Sequence, residues 1–355
     1  MVYTSNEKPK TKNTNLTPLS PLIITNYKMS DVKVIAEKLG FETFNPMQAG
    51  ALTAGLLECN RFVTCAPTAS GKTLLALLKI VDNYEKTKLK AVYVVPLKAL
   101  ANEKFDELTE RLAPFGMKVA VSTGDLDGES ESLAAFDVII VTSEKMDSLL
   151  RHKTHWTENI ALIVLDEVHL IDDETRGPTL EVVITKMHVK QNVKILALSA
   201  TVPNAQDLAN WLKANLYKSD YRSTKLVKGV AAGDVLEFQD DQLAPIHLNH
   251  KKPLETLIEK GLDNYGKHGQ VLIFVGTRRN AESCAKDITK LVESKLHLNE
   301  KQECQELARK ALKALPVPTA QCKLLSECLA AGVAFHHAGI ESKQQKLIEI
   351  GRAHV

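Results

Sequence analysis

Arg61-Phe62-Val63-Thr64-Cys65-Ala66-Pro67-Thr68-Ala69-Ser70-Gly71-Lys72-Thr73 joins a short apolar run to a loop of small residues that closes on Gly-Lys-Thr. The run Arg61–Cys65 reads as a buried strand, and the apolar spacing after Thr73 reads as a helix. Strand, small-residue loop and helix in that order are the context a phosphate-binding loop requires. The loop fits Gly-x-x-x-x-Gly-Lys-[Ser/Thr], except that Ala66 stands where the first glycine is expected. Backbone N–H groups curled inward over such a loop make a nest for an anion. The reading assigns Ala66, Pro67, Thr68, Ala69, Ser70, Gly71, Lys72 and Thr73 to nucleotide binding. Lys72 reaches the β and γ phosphates, and Thr73 ligates Mg²⁺.

Further apolar runs lie outward from this stretch at Ala91–Val95, Val119–Val121, Asp137–Val141, Ala161–Leu165 and Lys194–Leu198, with helical stretches between them. Such alternation predicts an α/β domain with a parallel sheet covered by helices on both faces. A helix from Asn204 to about Asn215 closes it. The expected organisation is a flexible tail over 1–28, rich in Lys, Asn, Thr, Ser and Pro, and a first domain over 29–215. A polar linker over 216–228 and a second α/β block over 229–349 follow. The second block has expected strands at Gln270–Val275 and Gly332–Phe335 and helical sequence between them, interrupted at Pro316-Val317-Pro318.

The run Leu162-Ile163-Val164-Leu165 delivers Asp166-Glu167-Val168-His169 to the carboxyl edge of the sheet, where ligands of open α/β sheets bind. Asp166 suits Mg²⁺, and Glu167 suits a base that orients an attacking water. Ser199-Ala200-Thr201 follows the next apolar strand. It is placed to bond His169 and couple phosphate state to the second domain, and equally to cap the helix that follows. Upstream, Gln48 lies just before the loop, and its amide has both the donor and the acceptor an adenine edge needs.

In that order the motifs resemble those of superfamily 2 DExH-box helicases, with the acidic motif reading DEVH. The chain is most similar to the archaeal HelQ-like DNA repair helicases, kin to the superkiller-type RNA helicases. The resemblance spans about residues 31–349. It rests further on Val95-Pro96-Leu97-Lys98-Ala99-Leu100-Ala101-Asn102-Glu103-Lys104, Arg176-Gly177-Pro178-Thr179-Leu180-Glu181, Phe274-Val275-Gly276-Thr277-Arg278-Arg279 and Gly332-Val333-Ala334-Phe335-His336-His337-Ala338-Gly339. It implies a RecA-like P-loop domain followed by an incomplete second RecA-like domain. The implied activity is ATP- and Mg²⁺-dependent 3′–5′ DNA unwinding, with Lys72, Asp166, Glu167 and His169 as the catalytic set. Pro96, Lys98, Ala99, Thr123, Gly124, Thr142, Ser143 and Glu144 would follow a nucleic-acid strand on the first domain. Thr277, Arg278, Arg279, His337, Ala338 and Gly339 would do so on the second. Single-stranded DNA, a monomer and a cytoplasmic, nucleoid-associated location are further implications. An RNA helicase of the superkiller or splicing branch, and an ATP- and nucleic-acid-binding module that does not hydrolyse ATP, remain open alternatives. Phosphate contacts alone do not read the 2′-hydroxyl.

Composition limits the classes. The 355 residues, enough for about two domains, are 44% hydrophobic and 25% charged, with net charge +2. Any basic groove is therefore local. No apolar run has transmembrane length. The six cysteines form no Cys-x-x-Cys pair, so buried thiols in a reducing compartment are expected rather than a zinc site or a disulfide framework. The family pattern would continue beyond Gly339 with an arginine-finger motif that the sequence lacks, so nucleotide binding is expected to exceed turnover. Residues 350–355, Ile-Gly-Arg-Ala-His-Val, read as a non-native, adapter-derived tail.

Overall fold

The computed structural model describes residues 2–5, 29–124, 131–152, 154–190, 192–240, 243–249, 252–265, 270–341 and 343–348. In chain order the strands are β1 (Val2–Ser5), β2 (Arg61–Cys65), β3 (Lys90–Val95), β4 (Val119–Ser122), β5 (Val138–Thr142), β6 (Ile160–Leu165), β7 (Lys194–Ser199), β8 (Asn215–Lys218), β9 (Lys225–Ala232), β10 (Val235–Phe238) and β11 (Ile246–His247). The helices are α1 (Met29–Lys38), α2 (Pro46–Thr53), α3 (Lys72–Thr87), α4 (Lys98–Leu112), α5 (Ser143–Arg151), α6 (Gly177–Val189), α7 (Ala205–Leu212), α8 (Pro253–Tyr265), α9 (Arg278–Lys295), α10 (Leu298–Leu312) and α11 (Ala320–Ala330). The chain divides into two compact units, Pro9–Ser223 and Met1–Lys8 with Thr224–Val355.

The first unit, here the P-loop unit, is built on a seven-stranded sheet in the order β4-β5-β3-β6-β7-β2-β8. Every pairing in it is parallel. All residues of β5 and β6 are buried, which is why both read as unbroken apolar runs rather than as alternations. Successive side chains still face opposite ways. Tyr93 joins a core with α1 to α4, while Val92 and Val94 join one with α5 to α7. Helices thus cover both faces of the sheet, as the alternation predicted.

The segment Leu216–Lys228, expected as a linker, holds most of β8 and the start of β9. Strand β8 is short and only half-buried, and it extends the sheet beside β2. An edge strand with one paired side carries little apolar signal.

The second unit, here the C-terminal unit, has an antiparallel sheet in the order β1-β9-β10-β11. Val2–Ser5, expected within a tail, pair with β9, while residues 6–28 and 350–355 lie outside the described residues. Helices α9, α10 and α11 occupy the region between Asn280 and Ala331. Breaks fall at 296–297 and around the expected Pro316–Pro318. Thr277 and Thr319 cap α9 and α11 by accepting the amides of Asn280 and Cys322. The expected strands Gln270–Val275 and Gly332–Phe335 do not form: neither pairs with another strand among the described residues. Apolar pattern alone does not make a strand without a hydrogen-bonded neighbour. Phe274 accordingly stands 87% exposed. No described helix is long and apolar enough to cross a membrane.

Candidate nucleotide site and nucleic-acid interface

A parallel sheet brings all its carboxyl ends to one edge. Along that edge of the P-loop unit, the segments carrying the candidate residues fall into two groups. The loop Ala66–Gly71 follows β2, Asp166 and Glu167 follow β6, and Ser199–Thr201 ends β7. These strands are neighbours in the order β6-β7-β2. Pro96, Lys98 and Ala99 follow β3, Thr123 and Gly124 follow β4, and Thr142–Glu144 follow or end β5. Those strands are neighbours too, in the order β4-β5-β3.

The loop is held from three sides. The Ala66 amide donates to the Ser199 carbonyl at 3.1 Å. Asn45 Nδ2 donates to Ser70 O at 2.9 Å, and Gln48 Nε2 donates to Gly71 O at 3.0 Å. Asn45 and Gln48 also form the capping box of α2. Gly71 starts α3 at φ +85°, and a Cβ there would lie 2.5 Å from Gln48 Nε2, so glycine is required on two grounds. Ala69 shares the left-handed region at φ +61°. Gln48, expected to read adenine, has its amide oxygen on the Asn45 N–H and its nitrogen on Gly71. Its observed role is to clasp the loop to α2.

Lys72 is buried. Its ammonium donates to Ala66 O at 2.8 Å and Pro67 O at 3.0 Å, inside the curl of the loop. Burial pushes it below the usual lysine value, while Glu167 and Asp166 oppose that shift. The charge centre is therefore desolvated and set among acids. Asp166 is fixed at both oxygens: Oδ1 accepts the Glu167 amide at 3.0 Å and Oδ2 accepts the Tyr93 hydroxyl at 2.9 Å. Glu167 takes φ +50° and keeps Oε2 buried without a hydrogen bond. That oxygen lies 3.3 Å from His169 Nδ1. The same nitrogen accepts the Ala200 amide at 3.4 Å, so a neutral ring carries its proton on Nε2 and the carboxylate makes only a close contact. Ser199 is fully buried and Thr201 is exposed.

Two participants escaped sequence reading. Tyr93 sits fully buried in β3, and its hydroxyl crosses to Asp166 at the end of β6. The signal was a tyrosine in an apolar strand, because a buried phenol needs a partner. Lys104 Nζ donates to Thr73 Oγ1 at 2.9 Å and to Glu107 at 2.7 Å. Nothing local in the sequence distinguishes that lysine from its solvated neighbours.

Among the residues expected to follow nucleic acid, Lys98, Ala99, Gly124 and Glu144 are exposed, and Pro96 and Thr123 are half-buried. Thr142 and Ser143 are buried, and Thr142 caps α5 by accepting the Lys145 amide. In the C-terminal unit Thr277, Arg278, Arg279, Gly339 and His336 are exposed, and Ala338 is exposed as well, whereas His337 has an 8% exposed side chain. Thr277 Oγ1 caps α9.

Residues 45–208 match the family described as DEAD/DEAH box helicase. Over those residues the chain is similar to DEAD/DEAH box helicases. The match starts at the Asn45 cap and ends within α7, so it takes in all the segments of the first group. Beyond that match the likeness runs on. The chain is 41% identical over 334 residues to a protein of Methanococcus vannielii named ATP-dependent DNA helicase Hel308, covering 91% of this chain and 44% of that one. It is 38% identical over 327 residues to the protein of that name from Methanocaldococcus jannaschii, covering 90% and 27%. For the one from Pyrococcus horikoshii the figures are 41% over 318 residues, covering 90% and 42%. The chain spans less than half the length of these curated relatives.

Proposed function

We propose that the P-loop unit binds Mg·ATP at the loop Ala66–Gly71, and that the protein spends ATP turnover on moving along and unwinding DNA. The observation that carries this reading is the division of one sheet edge into a β6-β7-β2 group bearing Lys72, Asp166 and Glu167 and a β4-β5-β3 group bearing the exposed Lys98 and Gly124. DNA is preferred to RNA because the similar proteins are named DNA helicases. The resemblance also supports 3′–5′ movement on single-stranded DNA as a monomer, a role in DNA repair, and a cytoplasmic site of action at the nucleoid.

The residues fit a magnesium nucleotide. Thr73 and Asp166 offer the hard oxygen donors that Mg²⁺ takes, beside a desolvated ammonium. Bound there, the ion neutralises charge on the β and γ phosphates. Lys72 trades its two carbonyl partners for phosphate oxygens, keeping its hydrogen bonds while adding charge complementarity. Glu167 Oε2, buried and without a hydrogen bond, is free to take a proton from the attacking water. Tyr93 keeps Asp166 in one orientation across the boundary between the two groups of strands. Tyr93→Phe removes that bond and nothing else of size. The Mg²⁺ concentration needed for half-maximal nucleotide binding should rise at least about tenfold, since a lost hydrogen bond to a charged group costs about 1.5–3 kcal/mol and about 1.4 kcal/mol is a factor of ten. An unaltered Mg²⁺ dependence counts against the Asp166 assignment.

The reading as a whole is tested by ATP turnover of the protein extended to the length of its relatives, with matched single strands of DNA and RNA. Stimulation by DNA several-fold above RNA is expected. Equal stimulation by both moves the assignment to the RNA branch, and none by either removes the motor.

A further inference from the structure

We propose that His337 does not touch nucleic acid but is a positioning residue: through Glu282 and Gln321 it fixes the loop 336–339 against the start of α9 and so sets where Arg278 stands. The inference rests on the reading of that edge of the C-terminal unit as a nucleic-acid interface.

Both ring nitrogens are already committed. Gly339 N donates to Nδ1 at 3.1 Å, so Nε2 carries the proton and meets Glu282 Oε1 at 3.1 Å. The same carboxylate oxygen accepts Gln321 Nε2 at 2.7 Å. One oxygen therefore ties together α9, α11 and the loop. The ring stacks on Phe335, centroid to centroid 5.8 Å at 20°, and Phe335 is itself 3% exposed in the core of the unit. Such a ring has no free donor to offer a phosphate.

Glu282 lies four residues after Arg278, on the same face of α9. Gly339 closes the arrangement. A Cβ there would lie 3.2 Å from the His337 ring and 3.5 Å from Arg278 Nη1, so the loop passes close to both side chains and has little room for a larger residue. The hydrogen bond from Gln321, and then the contact with His337, hold the Glu282 carboxyl below its usual range. The anchor is thus ionised at neutral pH. A histidine used in this way explains why one ring of the adjacent His336-His337 pair is enclosed while its neighbour is exposed.

The test uses the 355-residue chain, a short mixed-sequence single-stranded DNA read by fluorescence anisotropy over a range of salt, and amide hydrogen exchange without DNA. Arg278→Ala should weaken binding and reduce the slope of log K against log salt by about 0.7, the loss of one phosphate contact on a single strand. Glu282→Ala and His337→Ala should weaken binding about tenfold, and Glu282→Ala should speed exchange of the Gly339 amide. Glu282→Gln retains the accepting oxygen and should restore both binding and protection, which a simple loss of charge would not. Unchanged Gly339 exchange in Glu282→Ala, or full DNA affinity in that variant, overturns the positioning role. Faster Gly339 exchange combined with DNA binding that Arg278→Ala leaves unaltered overturns instead the nucleic-acid reading of this edge, and the functional half of the inference with it.

Discussion

Lys72→Ala lowers the affinity of the chain for Mg·ATP by about 10²–10³-fold in a titration with a fluorescent ATP analogue. Lys72 places its ammonium within the curl of the loop, 2.8 and 3.0 Å from the carbonyls of Ala66 and Pro67. Hydrogen bonds to charged groups contribute about 1.5–3 kcal/mol each. Two of them give about 3–6 kcal/mol, and the two carbonyl bonds given up in exchange bring the gain to about 3–4 kcal/mol, which is the stated factor. Thermal unfolding measured in parallel separates loss of the site from loss of the fold. Binding within threefold of the unaltered chain, by a folded variant, would refute the location of the site.

Lys79→Ala is expected to cost the P-loop unit about 3–5 kcal/mol, read from urea unfolding. Lys79 is fully buried in α3, on a different turn from the phosphate loop. Its ammonium donates to the carbonyls of Leu56, Leu57 and Cys59 at 2.6, 3.2 and 2.7 Å. Truncation leaves three buried acceptors unpaired, at about 1–3 kcal/mol apiece before relaxation. Burial, with Lys194 adding to it, pushes the Lys79 ammonium down to about 7 from an ordinary value of 10.5. Between those two values the unfolded chain binds more protons than the folded one, so stability rises with pH across that window. The contribution is full above the unfolded value and is lost as pH falls through about 7. The unaltered unit should therefore gain stability relative to Lys79→Met between pH 7 and 10. A parallel pH dependence in the two proteins would show that Lys79 keeps its proton throughout.

Much of the P-loop unit was legible because its strands are enclosed on both faces. An unbroken apolar run such as Ile160–Leu165 suits a strand buried on both faces of a parallel sheet. The loop between β2 and α3 was legible because small residues and Gly-Lys-Thr have a backbone reason to occur together. What was missed depends on register. Tyr93 meets Asp166 only because β3 and β6 are neighbours with Tyr93 opposite Val164, and no local pattern encodes that adjacency. Gln48 was read by the capacity of its amide, and the structure adds what that reading lacked, one bond each to Asn45 and Gly71. His337 was assigned by motif to nucleic acid, and in the structure its two ring nitrogens meet Glu282 and Gly339. The expected strands at 270–275 and 332–335 failed for the converse reason: their apolar pattern is present, but among the described residues they have no pairing neighbours.

Strand β2, which launches the phosphate loop, lies between β7 and β8, the last two strands of its sheet to be made. On a ribosome adding about 5–20 residues per second, Cys65 is separated from Lys194 by about 6–26 s of synthesis. Through that interval the strand that leads into the loop Ala66–Gly71 has neither of its sheet partners. Pairings this distant in sequence close slowly, and until they do both edges of β2 are open to other chains. Production of this unit is therefore governed by what accompanies the nascent chain before residue 218 emerges. Slower translation ahead of β7 would lengthen the exposure, and a holding chaperone bound near Arg61–Cys65 would shorten its consequences.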